Sequence, residues 1–223
     1  MTPLSWLNGQ KDYHICKDDR ALHFGDGVFE TLLITSGHIR FLDLHLQRLE
    51  KSLSRLNIVL SLETVKADLR LALEAVAQHS TTSPWRLKYL VSRGNSQTAY
   101  AYDNDISANR LMLLQPFTRD VATLQQQGIE VVCCDWPLSQ HPLLAGIKHL
   151  NRLDQVMARA QWQDTHITEG LMSDQQGRLI EGTMSNLFVV DKNARLITPP
   201  LDQCGVAGTM RQAIMERFSP ALA

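Results

Sequence analysis

The residues with the clearest chemical potential fall in four short segments. Lys148 stands in Gly146-Ile147-Lys148-His149-Leu150-Asn151-Arg152, after a loop carrying proline and glycine and before a helical pattern. A primary amine so placed can condense with an aldehyde. Glu181 closes the run Arg178-Leu179-Ile180-Glu181 and opens the polar stretch to Asn186, which puts a carboxylate at a strand end. Gly205-Val206-Ala207-Gly208-Thr209-Met210-Arg211 opens a helix, and backbone N–H groups at such a start suit a phosphate. Arg48, in His45-Leu46-Gln47-Arg48-Leu49, lies on an early helix beside its apolar stripe. Each segment also has an ordinary structural reading. These are a solvated surface lysine, a glutamate facing water, a common glycine start and an arginine stem lying over apolar surface. Together, an amine for an aldehyde, an acid for a ring nitrogen and donors for a phosphate are the parts that pyridoxal 5'-phosphate requires.

Those side chains need elements to hold them. Gly27 to Ile34 and Ile39 to Leu42 read as strands joined at Ser36-Gly37. Asp43 reads as the N-cap of a helix striped by Leu46, Leu49, Leu53 and Leu56, and Leu62, Val65, Leu69, Leu73 and Val76 mark a second. Trp85 to Ser92 alternates as a strand, and Arg110 to Gln115 is another, stopped by Pro116. Val121 to Gln127 reads as a helix closed by Gly128, with a strand at Ile129 to Cys134. Leu153, Val156, Met157 and Ala160 define the helix after Lys148. Short strands follow at Glu169 to Ser173, Arg178 to Glu181, Leu187 to Val190 and Arg195 to Thr198, with turns at Asp174-Gly177 and Asp191-Ala194. A last helix begins near Thr209. The class is α+β: a two-layer N-terminal domain over 1–115, a linker at 116–120, and a strand-rich, barrel-like C-terminal domain over 121–223.

Composition removes several alternatives. A net charge of -1 gives no footprint for nucleic acid or an acidic membrane surface. Cys16, Cys133, Cys134 and Cys204 form no CxxC and read as the reduced thiols of a cytoplasmic protein. The eight histidines never take a metal-ligand spacing, so no metal site is expected. Met1 to Gln10 does not read as a signal peptide, and no apolar stretch is long enough to cross a bilayer.

At this point the sequence resembles a known family. The marks are Phe24-Gly25-Asp26-Gly27-Val28-Phe29-Glu30-Thr31, Ser92-Arg93-Gly94, the run Gly146 to Gln155 around Lys148, and Glu181 through Asn186-Leu187-Phe188. They resemble the fold-type IV pyridoxal-phosphate enzymes of the class IV aminotransferase family, over nearly the whole chain from Leu7 to Gln212. The residues after the lysine are most similar to the aminodeoxychorismate lyase branch. The resemblance implies that Lys148 is the Schiff-base lysine and catalytic base. It further implies that Glu181 partners the pyridine nitrogen, Arg48 holds the phosphate, and Thr209 and Met210 cap it with backbone N–H groups. Arg93 is implied as a contact for a substrate carboxylate. The activity implied is conversion of 4-amino-4-deoxychorismate to 4-aminobenzoate and pyruvate, a folate-biosynthesis step, in a homodimer. The alternatives are a D-amino-acid or branched-chain transaminase on the same scaffold, or an inactive, truncated remnant. Family members commonly continue for several dozen residues past the helix near Thr209, whereas this chain stops at Ala223. The expectation is a second domain left partly uncovered.

Overall fold

In β4 (Trp85–Ser92), Trp85, Leu87, Tyr89 and Val91 are buried, while Arg86, Lys88 and Leu90 line the other face. That period of two makes this segment the centre of a sheet rather than a helix. The structure is a computed structural model and describes residues 3–11, 13–79, 83–103, 105–219 and 221–222. By its internal contacts the chain divides into two units. The first is Met1–Arg119 with Lys148–Asn151, and the second is Asp120–Ile147 with Arg152–Ala223.

The first unit contains β1 (Leu4–Leu7), α1 (Arg20–Phe24), β2 (Gly27–Thr35), β3 (His38–Ile39), α2 (Leu42–Arg55), α3 (Leu62–His79), β4 and β5 (Asn109–Pro116). Its strands form one antiparallel sheet in the order β1-β5-β4-β2-β3. Leu49 and Leu53 of α2 and Val65, Leu69, Ala72 and Val76 of α3 pack on one sheet face. There they join Val28, Leu32, Ile34, Trp85, Leu87, Met112, Leu114 and Trp6 in a single core. Each of the large side chains contributes about 1.5–3 kcal/mol on burial, so this layer carries the unit's stability. The opposite face, with Phe29, Thr31, Lys88, Leu90, Leu111 and Leu113, is half-buried to exposed. The strand expected at Ile39 to Leu42 is shorter, because α2 starts at Leu42. Phe41, not Asp43, is the N-cap, in a left-handed conformation (φ 52°), and Asp43 sits in the first turn, where its charge favours the helix dipole.

The second unit contains α4 (Val121–Gln127), β6 (Glu130–Cys133), α5 (Leu153–Arg159), β7 (Ile167–Ser173), β8 (Leu179–Gly182), β9 (Val189–Val190), β10 (Leu196–Thr198), α6 (Thr209–Phe218) and β11 (Ala221–Leu222). Asp120, at the end of the expected linker, caps α4 through Thr123 N–H, and Gly128 ends the helix on the residue expected to close it. Among the described residues the strands form two separate three-stranded sheets, β6-β7-β8 and β11-β10-β9, each mixing parallel and antiparallel pairs. The core here is small, built on Cys134, Leu138, Ala158, Trp162, Met172, Ile180 and Cys204. The stripe that defined α5 in the sequence is exposed at Leu153, Val156 and Met157, and Ala158 is the residue buried. All four cysteines are free thiols.

Candidate active site

Lys148 is placed by main-chain pairing. Phe29 N–H donates to the Lys148 carbonyl (2.9 Å) and Leu150 N–H donates to the Gly27 carbonyl (2.9 Å), so Val28 and His149 face each other as an antiparallel bridge. The lysine segment thus extends the first unit's sheet at the start of β2. Gly27 has no side chain because one would collide with the Val91 carbonyl and with Leu150. Asn151 Nδ2 donates to the Gly25 carbonyl (3.1 Å), which ties the end of the segment to the same turn. The half-buried Lys148 amine lies 4.5 Å from the Phe29 ring centroid. The motif Gly25-Asp26-Gly27-Val28-Phe29 is therefore the platform for the lysine.

Arg48 projects from α2 into the same unit. Its Nε donates to Glu30 Oε1 (2.8 Å), and a second guanidinium nitrogen donates to Oε2. His45 Nδ1 shares Glu30 Oε2 (2.7 Å). Burial pushes the Glu30 carboxyl up, but the bonds from Arg48 and His45 outweigh it and hold the group below its ordinary value.

Arg93 is bonded on several sides. Its Nε and one amino group form a fork on Asp26 (2.8 and 3.0 Å). The remaining bonds go to the Leu56 and Asn57 carbonyls at the end of α2 (2.8 and 2.9 Å). The guanidinium also stacks 3.7 Å from the Tyr102 ring centroid and is buried. Arg93 borders a cleft of about 440 Å³ with Ser54, Ile58 and Tyr102, yet its donors are committed to closing the α2 terminus and the turn at Asp26. It clamps the α2 terminus to the turn at Asp26. The sequence could not show this, because Asp26 lies 67 positions away.

The second unit carries the other three positions. Glu181, at the end of β8, is buried, and its Oε2 accepts from Val206 N–H (2.8 Å) and Asn186 Nδ2 (3.3 Å). Asn186 Nδ2 also donates to the Val206 carbonyl (2.8 Å), which locks the Gly205–Gly208 loop against the acid. The fields of Arg152 and Arg211 converge on Glu181, although burial holds both guanidinium groups below their ordinary values. Thr209 and Met210 start α6 behind Gly208, which supplies no side-chain cap, and a Cβ at Gly208 would strike Asn186 Oδ1.

Glu169 was missed by the sequence reading. Its buried carboxylate accepts from the Gly170, Thr183 and Met184 N–H groups and from the Thr183 and Ser185 hydroxyls. It organises the turn between Glu181 and Asn186. The signal was available in the sequence as an acid inside the β7 run together with the hydroxyls of Thr183 and Ser185.

A buried acid locked to a glycine cradle at the start of a ten-residue helix, and a half-buried lysine fixed on a sheet, suit a phosphorylated aldehyde cofactor with a basic ring nitrogen. The comparisons agree. The model of the amino-transferase class IV family matches residues 27–220, and the chain belongs to that family, whose members are pyridoxal-phosphate enzymes of fold type IV. Among individual proteins, it is 31% identical to aminodeoxychorismate lyase of Vibrio harveyi over 211 residues, covering 95% of this chain and 76% of the relative. The crystal structure of 4-amino-4-deoxychorismate lyase from Pseudomonas aeruginosa superposes with a TM-score of 0.88 at 39% identity, covering 99% of this chain and 80% of that one. D-alanine aminotransferase of Bacillus licheniformis is 28% identical over 199 residues, covering 89% of this chain and 68% of that enzyme. Among the described residues, no helix is long and apolar enough to cross a membrane.

Proposed function

We propose that this chain is a cytoplasmic, homodimeric pyridoxal-phosphate-dependent lyase that converts 4-amino-4-deoxychorismate to 4-aminobenzoate and pyruvate. The observation that carries this reading is the 39% identity to the Pseudomonas aeruginosa lyase, sustained over 99% of the chain. Pyridoxal phosphate, when bound, supplies an electron sink for the carbon that bears the substrate amine.

The chain's own residues divide the remaining work. Lys148 would hold the cofactor through its amine, and the same amine would take the proton from C4 of the substrate. The C3–O bond then breaks, its electron pair leaves with the enol of pyruvate, and the six-membered ring becomes aromatic. Aromatisation makes the step downhill, so the protein's contribution is positioning and proton transfer. Glu181, anchored by Asn186 and Val206, keeps the ring nitrogen protonated. Arg48 and the N–H groups of Thr209 and Met210 take the phosphate, with Glu30 setting the guanidinium plane.

The test is incubation with 4-amino-4-deoxychorismate and no added keto acid. Equal amounts of pyruvate and 4-aminobenzoate are expected. The 28% identity to a D-alanine aminotransferase favours a second reading, transamination of a small amino acid. Conversion of the cofactor to its amine form by D-alanine, with no pyruvate from aminodeoxychorismate, would establish that reading instead.

A further inference from the structure

The tripeptide Gly205-Val206-Ala207 is bonded along both of its edges. On one edge Val206 N–H donates to Glu181 Oε2 (2.8 Å), and the Val206 carbonyl accepts from Asn186 Nδ2 (2.8 Å). On the other edge Gly146 N–H donates to the Gly205 carbonyl (2.9 Å), and Ala207 N–H donates to the Gly146 carbonyl (3.0 Å). Gly146 and Val206 thus face each other as a parallel bridge, with successive main-chain groups of the strip pointing to opposite sides. The acid is held on one side of this strip and Gly146 on the other, and Gly208 and α6 continue from its end. In the chain, Ile147 alone separates Gly146 from Lys148.

Gly146 makes these bonds from a backbone conformation that few residues adopt. The N–H groups of Leu144 and Ala145 both donate to the His141 carbonyl (2.8 and 2.9 Å), and Gly146 leaves that turn at φ 82°. His141 N–H donates to the Gln203 carbonyl (2.8 Å), which fixes the start of the same turn to the residues before the strip. A Cβ added at Gly146 would make only ordinary contacts, 3.7 Å from Ala207 Cβ and 4.0 Å from the Leu201 carbonyl oxygen. Space therefore does not require glycine here. The left-handed φ does.

We propose that Gly146 is a positioning residue, whose two main-chain bonds keep the strip, and with it Glu181 and the start of α6, in register with the lysine two residues further along the chain. This rests on the reading of Lys148, Glu181 and the start of α6 as contacts of one cofactor. A lysine side chain is a flexible four-carbon stem, so its register has to come from the main chain on either side of it. After Lys148 that register comes from Leu150 and its bond to Gly27, and before Lys148 it comes from Gly146.

The experiment compares two ligands. Pyridoxal 5'-phosphate can bond to Lys148, whereas pyridoxamine 5'-phosphate keeps the ring nitrogen and the phosphate but has no aldehyde. Affinity for each is measured in the wild type, in Gly146→Ala and in Gly177→Ala. The last variant carries a matched backbone strain, at φ 77°, in a turn of the same unit that touches none of these residues. Gly146→Ala should weaken pyridoxal phosphate roughly tenfold and pyridoxamine phosphate by no more than about threefold. The fraction of bound cofactor trapped on Lys148 by borohydride should fall with it. Gly177→Ala should leave both affinities and the trapping at wild-type values. Equal losses for the two ligands in Gly146→Ala, or no loss for either, would overturn the assignment. So would the same split between ligands in Gly177→Ala. A second measurement needs no variant. Amide exchange in the wild-type protein with its cofactor should be as slow at Gly146 and Ala207 as at Val206. Exchange at Gly146 and Ala207 as fast as in an exposed loop would overturn the assignment even if Gly146→Ala failed to fold. A wild type that pyridoxal phosphate does not label at Lys148 would overturn the cofactor reading, and the role of Gly146 with it. Labelling of the wild type followed by equal losses in Gly146→Ala would overturn the role of Gly146 alone.

Discussion

Asp26, Glu30 and Asp68 of the first unit are held in a different way from Glu169 of the second. In the first unit, Asp26 is gripped by Arg20 and Arg93, Glu30 by Arg48 and His45, and Asp68 by Arg110 with the Tyr89 hydroxyl. Each of these acids joins elements far apart in sequence, and its charge is matched inside the unit. In the second unit, the Thr183–Asn186 turn is held by Glu169 through N–H and hydroxyl donors, and Glu181 is fixed by Asn186 and the Val206 N–H. Neutral donors orient a carboxylate without cancelling its charge. The first arrangement builds a scaffold from ion pairs, and the second builds a turn from N–H and hydroxyl donors, beside which Glu181 sits in the fields of Arg152 and Arg211.

The comparison breaks first at Lys148, where the largest effect is expected. The main chain of this segment is bonded to Gly27 and Phe29, so Lys148→Ala removes chemistry and leaves the scaffold. Turnover should fall by on the order of 10³-fold or more, with a melting temperature near wild type. Borohydride reduction of the wild type with pyridoxal phosphate should label the peptide containing Lys148, and that label should be absent from the variant. A label on Lys88 or Lys192 instead would sink the assignment.

Glu30 and Glu181 put the two kinds of acid side by side. Glu30→Gln removes the buried carboxylate charge that Arg48 binds, which costs about 3–5 kcal/mol. Glu181→Gln should change stability far less and cut turnover more than cofactor affinity. The pH dependence follows from the sign of the shifts. The carboxyls of Glu30 and Asp26 are held below their ordinary values of 4.5 and 3.8. Their stabilisation is therefore complete above those values and is lost as pH falls through the depressed ones. Acid unfolding monitored by circular dichroism should show this loss in the wild type and a flatter profile in Glu30→Gln. Equal melting temperatures for the two glutamine variants would remove the distinction between the two acids.

Much of the scaffold was legible in the sequence, and the reasons are local. β4 and α4 fall on their expected residues, because strict alternation marks the first and Asp120 and Gly128 bracket the second. What escaped depends on contacts between distant segments. Nothing in residues 148–151 announces that they pair with β2 and belong to the first unit. Arg93 sits in a conspicuous Ser-Arg-Gly motif, but its partner Asp26 lies in another motif altogether. The short strands of the second unit were visible one by one, but periodicity cannot say which strand pairs with which. The stripe on α5 marked a helix correctly and its buried face wrongly, since Leu153 and Val156 are exposed.

Glu169 sharpens the contrast at smaller amplitude. In Glu169→Gln, one oxygen that accepts from N–H and hydroxyl groups becomes an amide that can only donate, so at least one buried donor loses its partner. That costs about 1–3 kcal/mol. The Thr183–Asn186 turn should loosen, with faster amide exchange at Thr183 and Met184 than in the wild type. If exchange at those amides is unchanged, the carboxylate does not hold the turn.

The smallest effect is expected where the second unit repeats itself. Asp174 accepts from the N–H groups of Gln176 and Arg178 and from the Arg178 guanidinium. Asp191 does the same with Asn193 and Arg195. These are two copies of one hairpin turn, and both place their fourth residue in the left-handed region. The first has Gly177 there, at φ 77°, and the second has Ala194, at φ 58°. A Cβ in that region meets the backbone at a cost of roughly 1–2 kcal/mol, part of which glycine returns through the greater freedom of the unfolded chain. Ala194→Gly should therefore stabilise by up to about 1 kcal/mol, and Gly177→Ala should destabilise by a similar amount. Nothing lies within 4 Å of a Cβ added at Gly177, so the effect there is conformational and not a clash. Denaturant titration of the two variants reads both signs. Turnover and cofactor affinity should match wild type in each, since the turns tie strand ends and touch neither Glu181 nor the Gly205–Gly208 loop. Effects of the same sign at the two positions would show that arginine pairing, not the left-handed residue, sets the stability of these turns.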